Sequence, residues 1–330
     1  MPRCHASLQE ISQEGYAPRF RRELTRGRGA FPYRLDFRRS DLQLVRAQDA
    51  GRMSISGVQD KVQLRLENGR LELTESGGEF LLKPIPSAPF LHAQDVPANE
   101  HLCMQLARQV YGIETPPNAL VLLADEEPAY LVRRYDRMAP TSDGKLHQED
   151  LAQVVARSTD SPNWKYEGSY EEMAQAIRLS CPAARVGLER LWQRIVFCFA
   201  TSNGDAHWKN FSVLEHPAEG GYQLAPAYDL VATSLHFPTE TPLALDLFRD
   251  GELSPSFDAL GYWTGADFLE LAKRWELPVE RSRRWLATRL QRLAAVQDLI
   301  GRSFLGEENR KAFWERYQDR TRALGMRVSG

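Results

Sequence analysis

The sequence predicts an α+β protein of two lobes, a small β-rich lobe followed by a larger α-helical lobe. Short alternating or apolar runs between turn residues dominate the first 135 residues, and runs with helical spacing dominate after about residue 148. A chain of 330 residues is long enough to give each lobe its own core. We therefore assign residues 1–135 to the first lobe and residues 136–330 to the second, with a hinge near residues 134–140.

Strand patterns account for most of the first lobe. Residues 62–66 alternate apolar and polar side chains, and Asn68–Gly69 is a favoured two-residue turn into a second strand. The runs "GEFLLKPIP" and "ALVLLADEEPAYLVRRYDR" predict three more strands, the first of them stopped by prolines. One helix interrupts this lobe, beginning near Pro97 and ending at Gly112.

Helical patterns dominate the second lobe. The run "GLERLWQRIVFCFATSNG" is largely apolar and predicts a buried helix that ends at Ala200. Residues 279–304 predict one long helix, whose many arginines indicate a solvated face rather than a nucleic-acid site. The apolar positions of this helix are Leu286, Leu290, Leu293 and Ile300.

Composition narrows the class of protein. The 42 lysines and arginines against 44 acidic residues leave a net charge of −2, so no basic field points to nucleic acid. The four cysteines lie far apart with no CxxC pair, which argues against a zinc site or a disulfide framework. The N-terminus has no signal-peptide core, and the apolar runs are too short to span a bilayer. We expect a soluble cytoplasmic protein without a membrane partner.

The strongest functional signal is the segment "TSNGDAHWKNFSVL". Asp205 and Asn210 are separated by four residues, which is the spacing of a protein-kinase catalytic loop. There a carboxylate meets the substrate hydroxyl and an amide oxygen binds magnesium. Taken alone, the segment is explained equally well as a polar turn at the end of a helix. His207 by itself indicates a hydrogen-bonded loop residue rather than a metal ligand.

Asp229, in "APAYDLVATS", is the candidate for a second acidic ligand. Phosphoryl transfer of the kinase type needs such a carboxylate on a strand end near the catalytic loop. The runs "FSVL" and "YQLAPAYDL" predict the two strands that bring it there, joined at Gly220–Gly221. The alternative is an ordinary turn aspartate.

Lys83 and Glu100 form a predicted ion pair. Lys83 lies in an apolar strand, where an unpaired ammonium is costly. Glu100 lies on the same helical stripe as Cys103 and Leu106, so its side chain faces the core and needs a cation. Kinases use such a pair to hold the lysine against nucleotide phosphates. A purely structural ion pair, or a glutamate favoured by the helix dipole, explains the same residues.

The chain has neither a G-x-G-x-x-G motif nor a Walker A motif. The only small-residue segment at the right place, before the hairpin and upstream of Lys83, is Ser54-Ile55-Ser56-Gly57, with Lys61 at the mouth of the next strand. This segment is the candidate loop over the nucleotide phosphates, with a solvated turn as the alternative.

In this order, the segments "MSISGVQDK", "FLLKP", "NEHLCMQLA", "VRRYDR", "HQEDLAQ", "NGDAHWKNFSVL" and "YDLVATS" resemble the HipA family of bacterial toxin kinases. The resemblance runs from about Met53 to the end. It implies a two-lobed protein-kinase-like fold that uses ATP and Mg²⁺. It further implies phosphorylation of a seryl residue on an aminoacyl-tRNA synthetase, which inhibits translation.

The resemblance also implies roles for single residues. Asp205 resembles the catalytic base, and Asn210 and Asp229 resemble the magnesium ligands. Arg133 and Tyr135 resemble the adenine-contacting linker, although many members have glutamate in place of Arg133. The implied nucleotide-binding set is Ser56, Gly57, Gln59, Lys61, Lys83, Glu100, Arg133, Tyr135, His207, Asn210 and Asp229.

Only about fifty residues precede the loop, which is similar to the short branch of the family, HipT of tripartite HipBST systems. This branch implies two partners, a small HipS-like antitoxin resembling the missing N-terminal subdomain and a HipB-like helix-turn-helix protein. DNA would be contacted only through the latter. The branch is associated with tryptophanyl-tRNA synthetase rather than glutamyl-tRNA synthetase as substrate.

The doubled serine suggests regulation. A hydroxyl beside the γ-phosphate is a ready acceptor, and a phosphate there adds nearly two negative charges in a site meant for ATP. We therefore predict inactivating autophosphorylation at Ser54 and Ser56; the alternative is that both hydroxyls hydrogen-bond the turn.

Two other functions stay open at this point. The first is a small-molecule phosphotransferase acting on aminoglycosides or sugars, which shares the D-x-x-x-x-N loop. The second is a kinase-shaped, non-enzymatic scaffold that bridges DNA-bound partners. The presence of Lys83, Asp205, Asn210 and Asp229 together argues against the scaffold, which needs none of them.

Overall fold

The computed structural model describes residues 1–42, 61–89, 91–137, 144–216 and 220–326. A five-stranded antiparallel sheet dominates the first part of the chain, and helices dominate the second. The predicted α+β class is therefore confirmed. The boundary between residues 135 and 136 stays a prediction.

The five-stranded sheet has the spatial order β2–β1–β3–β5–β4. Its hairpin turns at Asn68 and Gly69, whose φ angles of 49° and 80° both lie in the left-handed region. The favoured two-residue hairpin turn requires this conformation at both positions, so the predicted turn is confirmed. The strand bounds are β1 Val62–Glu67, β2 Arg70–Thr74, β3 Phe80–Lys83, β4 Asn118–Leu122 and β5 Pro128–Arg133.

The N-terminal residues complete this sheet at the edge of β4. The Leu120 and Leu122 amides donate to the carbonyls of His5 and Tyr33, both at 2.8 Å, and the Leu35 amide donates to Leu122 at 2.8 Å. Helix α1, Pro18–Thr25, buries its apolar face on the core of the same lobe. Sequence reasoning left these residues without a structural role. Their role is to close an edge that would otherwise be open to pairing with another chain.

Helix α2, Val96–Leu106, is buried along its whole length. It continues through a wider, π-helical turn over Ala107–Tyr111 to Gly112, whose φ is 69°. The helix predicted between Pro97 and Gly112 is therefore confirmed, with a different last turn. Its burial on all sides follows from its place between the sheet and the helical part of the chain, whose core it joins.

The second part of the chain contains a small sheet and most of the helices. The small sheet pairs β6 Gln148–Asp150, β7 Ser212–His216 and β8 Gly221–Leu224. None of the helices in the described ranges has the length and apolarity needed to cross a membrane. The helices are α3 Leu151–Val154, α4 Tyr170–Ser180, α5 Ala184–Ala200, α6 Pro255–Leu260, α7 Gly265–Arg274, α8 Val279–Leu290, α9 Leu293–Arg302 and α10 Glu307–Gly325.

The prediction of one helix over residues 279–304 is wrong, because the chain turns at Gln291 and Arg292 between α8 and α9. Leu286 and Val296 are both buried. Ten residues of a straight helix advance by about 1000°, so the two side chains would lie roughly 80° apart around its axis. The turn lets both reach the core, and Leu293 is exposed instead.

Candidate functional site

Lys83, the last residue of β3, lies at the centre of the candidate site. Its Nζ atom is 2.6 Å from Oε1 of Glu100 on α2, and it also donates to Oδ1 of Asp229. The Lys83 and Glu100 side chains are only 3% and 0% exposed. The predicted contact between them is therefore confirmed, and Asp229 joins it from the segment that follows β8.

The charges in this cluster are strongly coupled. Burial lowers the pKa of Lys83, but Asp229 and Glu100 outweigh burial and raise it. Burial raises the pKa of Asp229, but Lys83 and then Lys61 outweigh burial and hold it well below its usual range. Lys61 lies at the rim, with Nζ 4.0 Å from Oδ2 of Asp229. Lys83 and Asp229 are therefore charged at neutral pH.

Asp229 occupies an unusual backbone conformation. Its φ is 52°, which is uncommon for a residue other than glycine and is typical of turns and functional sites. It does not lie at the end of a strand, as was predicted, because β8 ends at Leu224. Pro226, two residues further on, has no amide hydrogen to continue the ladder. The neighbouring Tyr228 hydroxyl donates to the Lys209 carbonyl at 2.9 Å, which ties this turn to the predicted catalytic loop.

The predicted catalytic loop follows α5 and is shaped by its own polar groups. The Asn210 side-chain amide donates to the Asp205 backbone carbonyl at 3.0 Å, and the Asp205 backbone amide donates to Asn203 Oδ1 at 3.2 Å. The Gly204 amide donates to Thr233 Oγ1 at 2.8 Å. A Cβ atom at Gly204 would lie 2.4 Å from the Thr241 carbonyl oxygen, so the close approach requires glycine here. The hydrogen bond between the first and last residues of the D-x-x-x-x-N segment thus closes the loop.

The Asp205 carboxylate faces outward from this loop. Its side chain is 45% exposed, and its Oδ1 atom accepts a hydrogen bond from the Tyr166 hydroxyl. His207 Nε2 lies 3.7 Å from the same oxygen, beyond hydrogen-bond distance. Sequence reasoning did not identify Tyr166, because it lies 39 residues before Asp205 and belongs to no spacing motif.

His207 is buried beside the carboxylate. Burial lowers its pKa to about 4, so the imidazole is neutral at neutral pH. Its Nδ1 atom has no hydrogen-bond partner among the described residues. A buried polar atom without a partner is costly unless a ligand or water satisfies it, so this nitrogen fits the predicted nucleotide contact.

Asn210 and Asp229 line one small cavity together with Tyr228 and Arg194. A carboxylate and an amide oxygen suit Mg²⁺, which is commonly held by one or two protein ligands together with phosphate oxygens and water. Within the described ranges, no group of three or more His, Cys, Asp or Glu side chains could hold a metal ion by itself. The donor set therefore fits a magnesium ion that arrives with a nucleotide.

The two predicted linker residues differ in where their side chains lie. The Tyr135 ring stacks on Tyr228 with 6.1 Å between centroids, so it adjoins the segment that carries Asp229. The Arg133 side chain instead donates to the Glu23 carbonyl of α1, and its amide donates to Pro117 at 2.8 Å. A contact from Arg133 to an adenine would therefore have to use its backbone.

Four of the predicted phosphate-loop residues, Ser54, Ser56, Gly57 and Gln59, lie outside the described residues. Lys61 is the first described residue after them, and its ammonium points toward Asp229. Among the predicted residues that are described, the structure brings Lys61, Lys83, Glu100 and Asp229 into one charged cluster.

Sequence comparisons relate the chain to a family of kinases. The family model for the HipA-like C-terminal domain matches residues 53–298, about three quarters of the chain. A protein of Haemophilus influenzae whose name carries the word kinase is 28% identical over 311 residues, covering 88% of each chain. The chain spans about half the length of three further curated relatives named as kinases.

Two solved structures share the fold. The HipA chain of a Shewanella oneidensis toxin–antitoxin complex with HipB and operator DNA has a TM-score of 0.61 at 21% identity, covering 85% of this chain and 69% of that one. The Helicobacter pylori proinflammatory kinase CtkA has a TM-score of 0.53 at 13% identity, covering 79% and 90%. The predicted kinase-like α+β fold is thereby confirmed. With the family model matching most of its length, the chain belongs to the HipA family, through its HipA-like C-terminal domain.

Proposed function

We propose that this chain is an ATP-dependent protein serine/threonine kinase, the toxin of a toxin–antitoxin system acting in the cytoplasm. The observation that carries the proposal is the bridge that Lys83 makes between Glu100 and Asp229. It joins β3, α2 and the segment after β8 at one point. In protein kinases, the lysine–glutamate pair and the metal-binding aspartate must both be in place for transfer.

In the proposed reaction, Asp205 is the residue that acts on the acceptor serine. Its exposed carboxylate accepts the proton of the acceptor serine while the serine oxygen bonds to the γ-phosphorus. The bond to the bridging oxygen breaks, and its electron pair leaves with ADP. Asn210 and Asp229 would hold Mg²⁺. When bound, Mg²⁺ neutralises the charge that develops on the phosphate oxygens.

The lysines and the buried histidine act on the nucleotide, which donates the phosphoryl group. The Lys83 ammonium is held by Glu100, so it could meet the α- and β-phosphates of a bound nucleotide. Lys61 stands at the rim with 43% of its side chain exposed, where it can reach further phosphate oxygens. We assign Ser56, Gly57 and Gln59 to the loop that covers the nucleotide, and Tyr135 and the Arg133 backbone to the adenine. The His207 Nδ1 atom, which has no hydrogen-bond partner among the described residues, is assigned to the nucleotide as well.

We assign an aminoacyl-tRNA synthetase as the protein substrate, with tryptophanyl-tRNA synthetase preferred over glutamyl-tRNA synthetase. The partners we assign are a HipB-like helix-turn-helix protein, which alone contacts DNA, and a small HipS-like antitoxin. Support for the first partner comes from the Shewanella HipA structure, which contains HipB and operator DNA. Autophosphorylation at Ser54 and Ser56 would lower activity, because phosphate charge there repels the nucleotide.

Incubation of the purified chain with labelled ATP, Mg²⁺ and a panel of purified synthetases tests the enzyme. We expect label on one synthetase, and only a small residual rate of labelling with Asp205→Asn. A matched control is Asp319→Asn, since Asp319 lies on α10 with 59% of its side chain exposed and pairs only at the surface with Arg322. Label on an aminoglycoside or sugar and on no protein would show a small-molecule phosphotransferase. No transfer to any acceptor, with nucleotide binding absent, would show a scaffold.

Mass spectrometry of the chain expressed with and without active Asp205 tests the regulation. Phosphate at Ser54 or Ser56 is expected in the parent protein only. Phosphate at the same serines in Asp205→Asn would show that another enzyme adds it. Growth arrest on induction, relieved by Asp205→Asn, tests the assignment as a toxin.

A further inference from the structure

Tyr166 contacts the Asp205 carboxylate, which meets the acceptor serine in the proposed reaction. Its hydroxyl donates to Asp205 Oδ1, and its ring meets the His207 ring edge to face, with centroids 5.0 Å apart and planes at 74°. Tyr166 therefore contacts both the proposed base and the neutral histidine beside it.

The segment that carries Tyr166, residues 164–167, is fastened to the catalytic loop; we call it the strap. The buried Trp208 indole donates to the Glu167 carbonyl at 2.9 Å, and Arg157 donates to the same carbonyl at 2.6 Å. Lys209 lies over the Trp164 ring, 5.8 Å from its centroid. Because these contacts lie on both sides of Tyr166, the strap holds its hydroxyl in a fixed place relative to the loop.

The hydroxyl of Tyr166 is a donor in this contact. Burial and then the hydrogen bond to Asp205 raise the pKa of Tyr166, so the phenol keeps its proton at neutral pH. Tyr166 therefore cannot replace Asp205 as the base. Among the described residues, the phenol and the imidazole both lie at Oδ1 of the carboxylate, and none donates a hydrogen bond to Oδ2. This arrangement leaves Oδ2 for an incoming hydroxyl, on a side chain that is 45% exposed.

We propose that Tyr166 is a positioning residue, which holds Oδ1 of Asp205 so that Oδ2 is presented to the acceptor serine. The inference rests on the proposed function, because it takes Asp205 as the base. A carboxylate free to rotate would spend part of its time with neither oxygen aligned, and the resulting loss falls on the transfer step rather than on nucleotide binding.

Steady-state kinetics of Tyr166→Phe test this role, since phenylalanine keeps the ring against His207 and removes only the donor. Loss of a hydrogen bond to a charged group in the transition state corresponds to roughly a ten- to hundredfold change in rate. We therefore expect kcat to fall by about that factor while KM for ATP stays within about twofold. The matched control is Tyr222→Phe, which removes a hydroxyl that meets His147 Nδ1 at 2.8 Å outside the site. We expect wild-type kinetics from that variant.

Non-additivity separates positioning from a structural effect. If Tyr166 acts only through Asp205, Tyr166→Phe will not lower the residual rate of Asp205→Asn any further. If Tyr166 has a purely structural role, Tyr166→Phe will lower the rate of the parent and the rate of Asp205→Asn by the same factor, and this result would overturn the inference. A rise in kcat would overturn it too, because it would show that the hydroxyl blocks the acceptor position.

The two proposals fail in different ways. If Asp205→Asn leaves the parent rate unchanged, the proposed function fails and this inference fails with it. If Asp205→Asn lowers transfer to a small residual rate and Tyr166→Phe matches the parent, the proposed function stands and only the positioning role is refuted.

Discussion

Substituting Lys83 tests how the two lobes are held together at the site. The Lys83 side chain is 3% exposed and lies between Glu100, which is 0% exposed, and Asp229, which is 31% exposed. Lys83→Met removes the ammonium and leaves two carboxylates facing each other without a cation between them. Glu100→Gln removes one carboxylate and leaves Lys83 paired with Asp229.

The two substitutions should therefore differ in cost. Removing one partner of a buried pair so that a charge stays uncompensated costs about 3–5 kcal/mol, which we expect for Lys83→Met. Glu100→Gln loses one charge-assisted hydrogen bond, or about 2 kcal/mol. The double variant Lys83→Met, Glu100→Leu should be more stable than Lys83→Met alone, because it removes the uncompensated buried carboxylate as well.

The cost of Lys83→Met should also depend on pH. Burial raises the pKa of Glu100, and without Lys83 the only described cation that opposes that rise is the more distant Lys61. A group whose pKa is higher in the folded state contributes stability at low pH and loses it as the pH rises. The deficit of Lys83→Met relative to the parent should therefore be largest near pH 8 and smaller near pH 5.5.

Urea denaturation followed by far-UV circular dichroism at both pH values measures these free energies. Lys273→Met is the control, because Lys273 is 71% exposed and its pairing with Glu270 is a surface contact. It should change stability by less than about 0.5 kcal/mol. The reasoning is refuted if Glu100→Gln costs as much as Lys83→Met, or if the double variant is no more stable than Lys83→Met alone.

Three further outcomes follow from single positions. In urea denaturation, Gly265→Ala should lower stability by about 3 kcal/mol, because its Cβ would lie 2.0 Å from the Leu324 carbonyl oxygen. Gly301→Ala, at an exposed site in α9 with open space around it, should raise stability by about 0.5 kcal/mol. Equal effects of the two substitutions would contradict this. Ser169→Ala should lower stability by about 1 kcal/mol, because Ser169 caps α4, and Ser169→Thr, which keeps the hydroxyl, should lose less. Asp229→Asn should be less stable than the parent at pH 7. Because the pKa of Asp229 is lowered in the folded state, this difference in stability should narrow below about pH 4, and a difference independent of pH would argue against the ion pair.

Much of this protein could be predicted from local pattern alone. The Asn68–Gly69 hairpin, the helix between Pro97 and Gly112, and the end of α5 at Ala200 depend on turn chemistry and periodicity within a few residues. The Lys83–Glu100 pair was also predictable, because a buried cation and a buried anion 17 residues apart each require a partner. The α+β order of the two parts follows from the same local signals.

Tertiary structure decided the features that depend on distant neighbours. Tyr166 meets Asp205 across 39 residues, and no spacing rule relates them. Arg133 directs its side chain to α1, 110 residues earlier in sequence, which no linker motif indicates. The turn between α8 and α9 interrupts a run whose local pattern predicts one helix, and Leu286 and Val296 pack in the same core on either side of it. Sequence alone determined which residues need burial, a partner or a turn, because those needs are local. Only packing decided which distant group meets each need, because that choice depends on how the whole chain folds together.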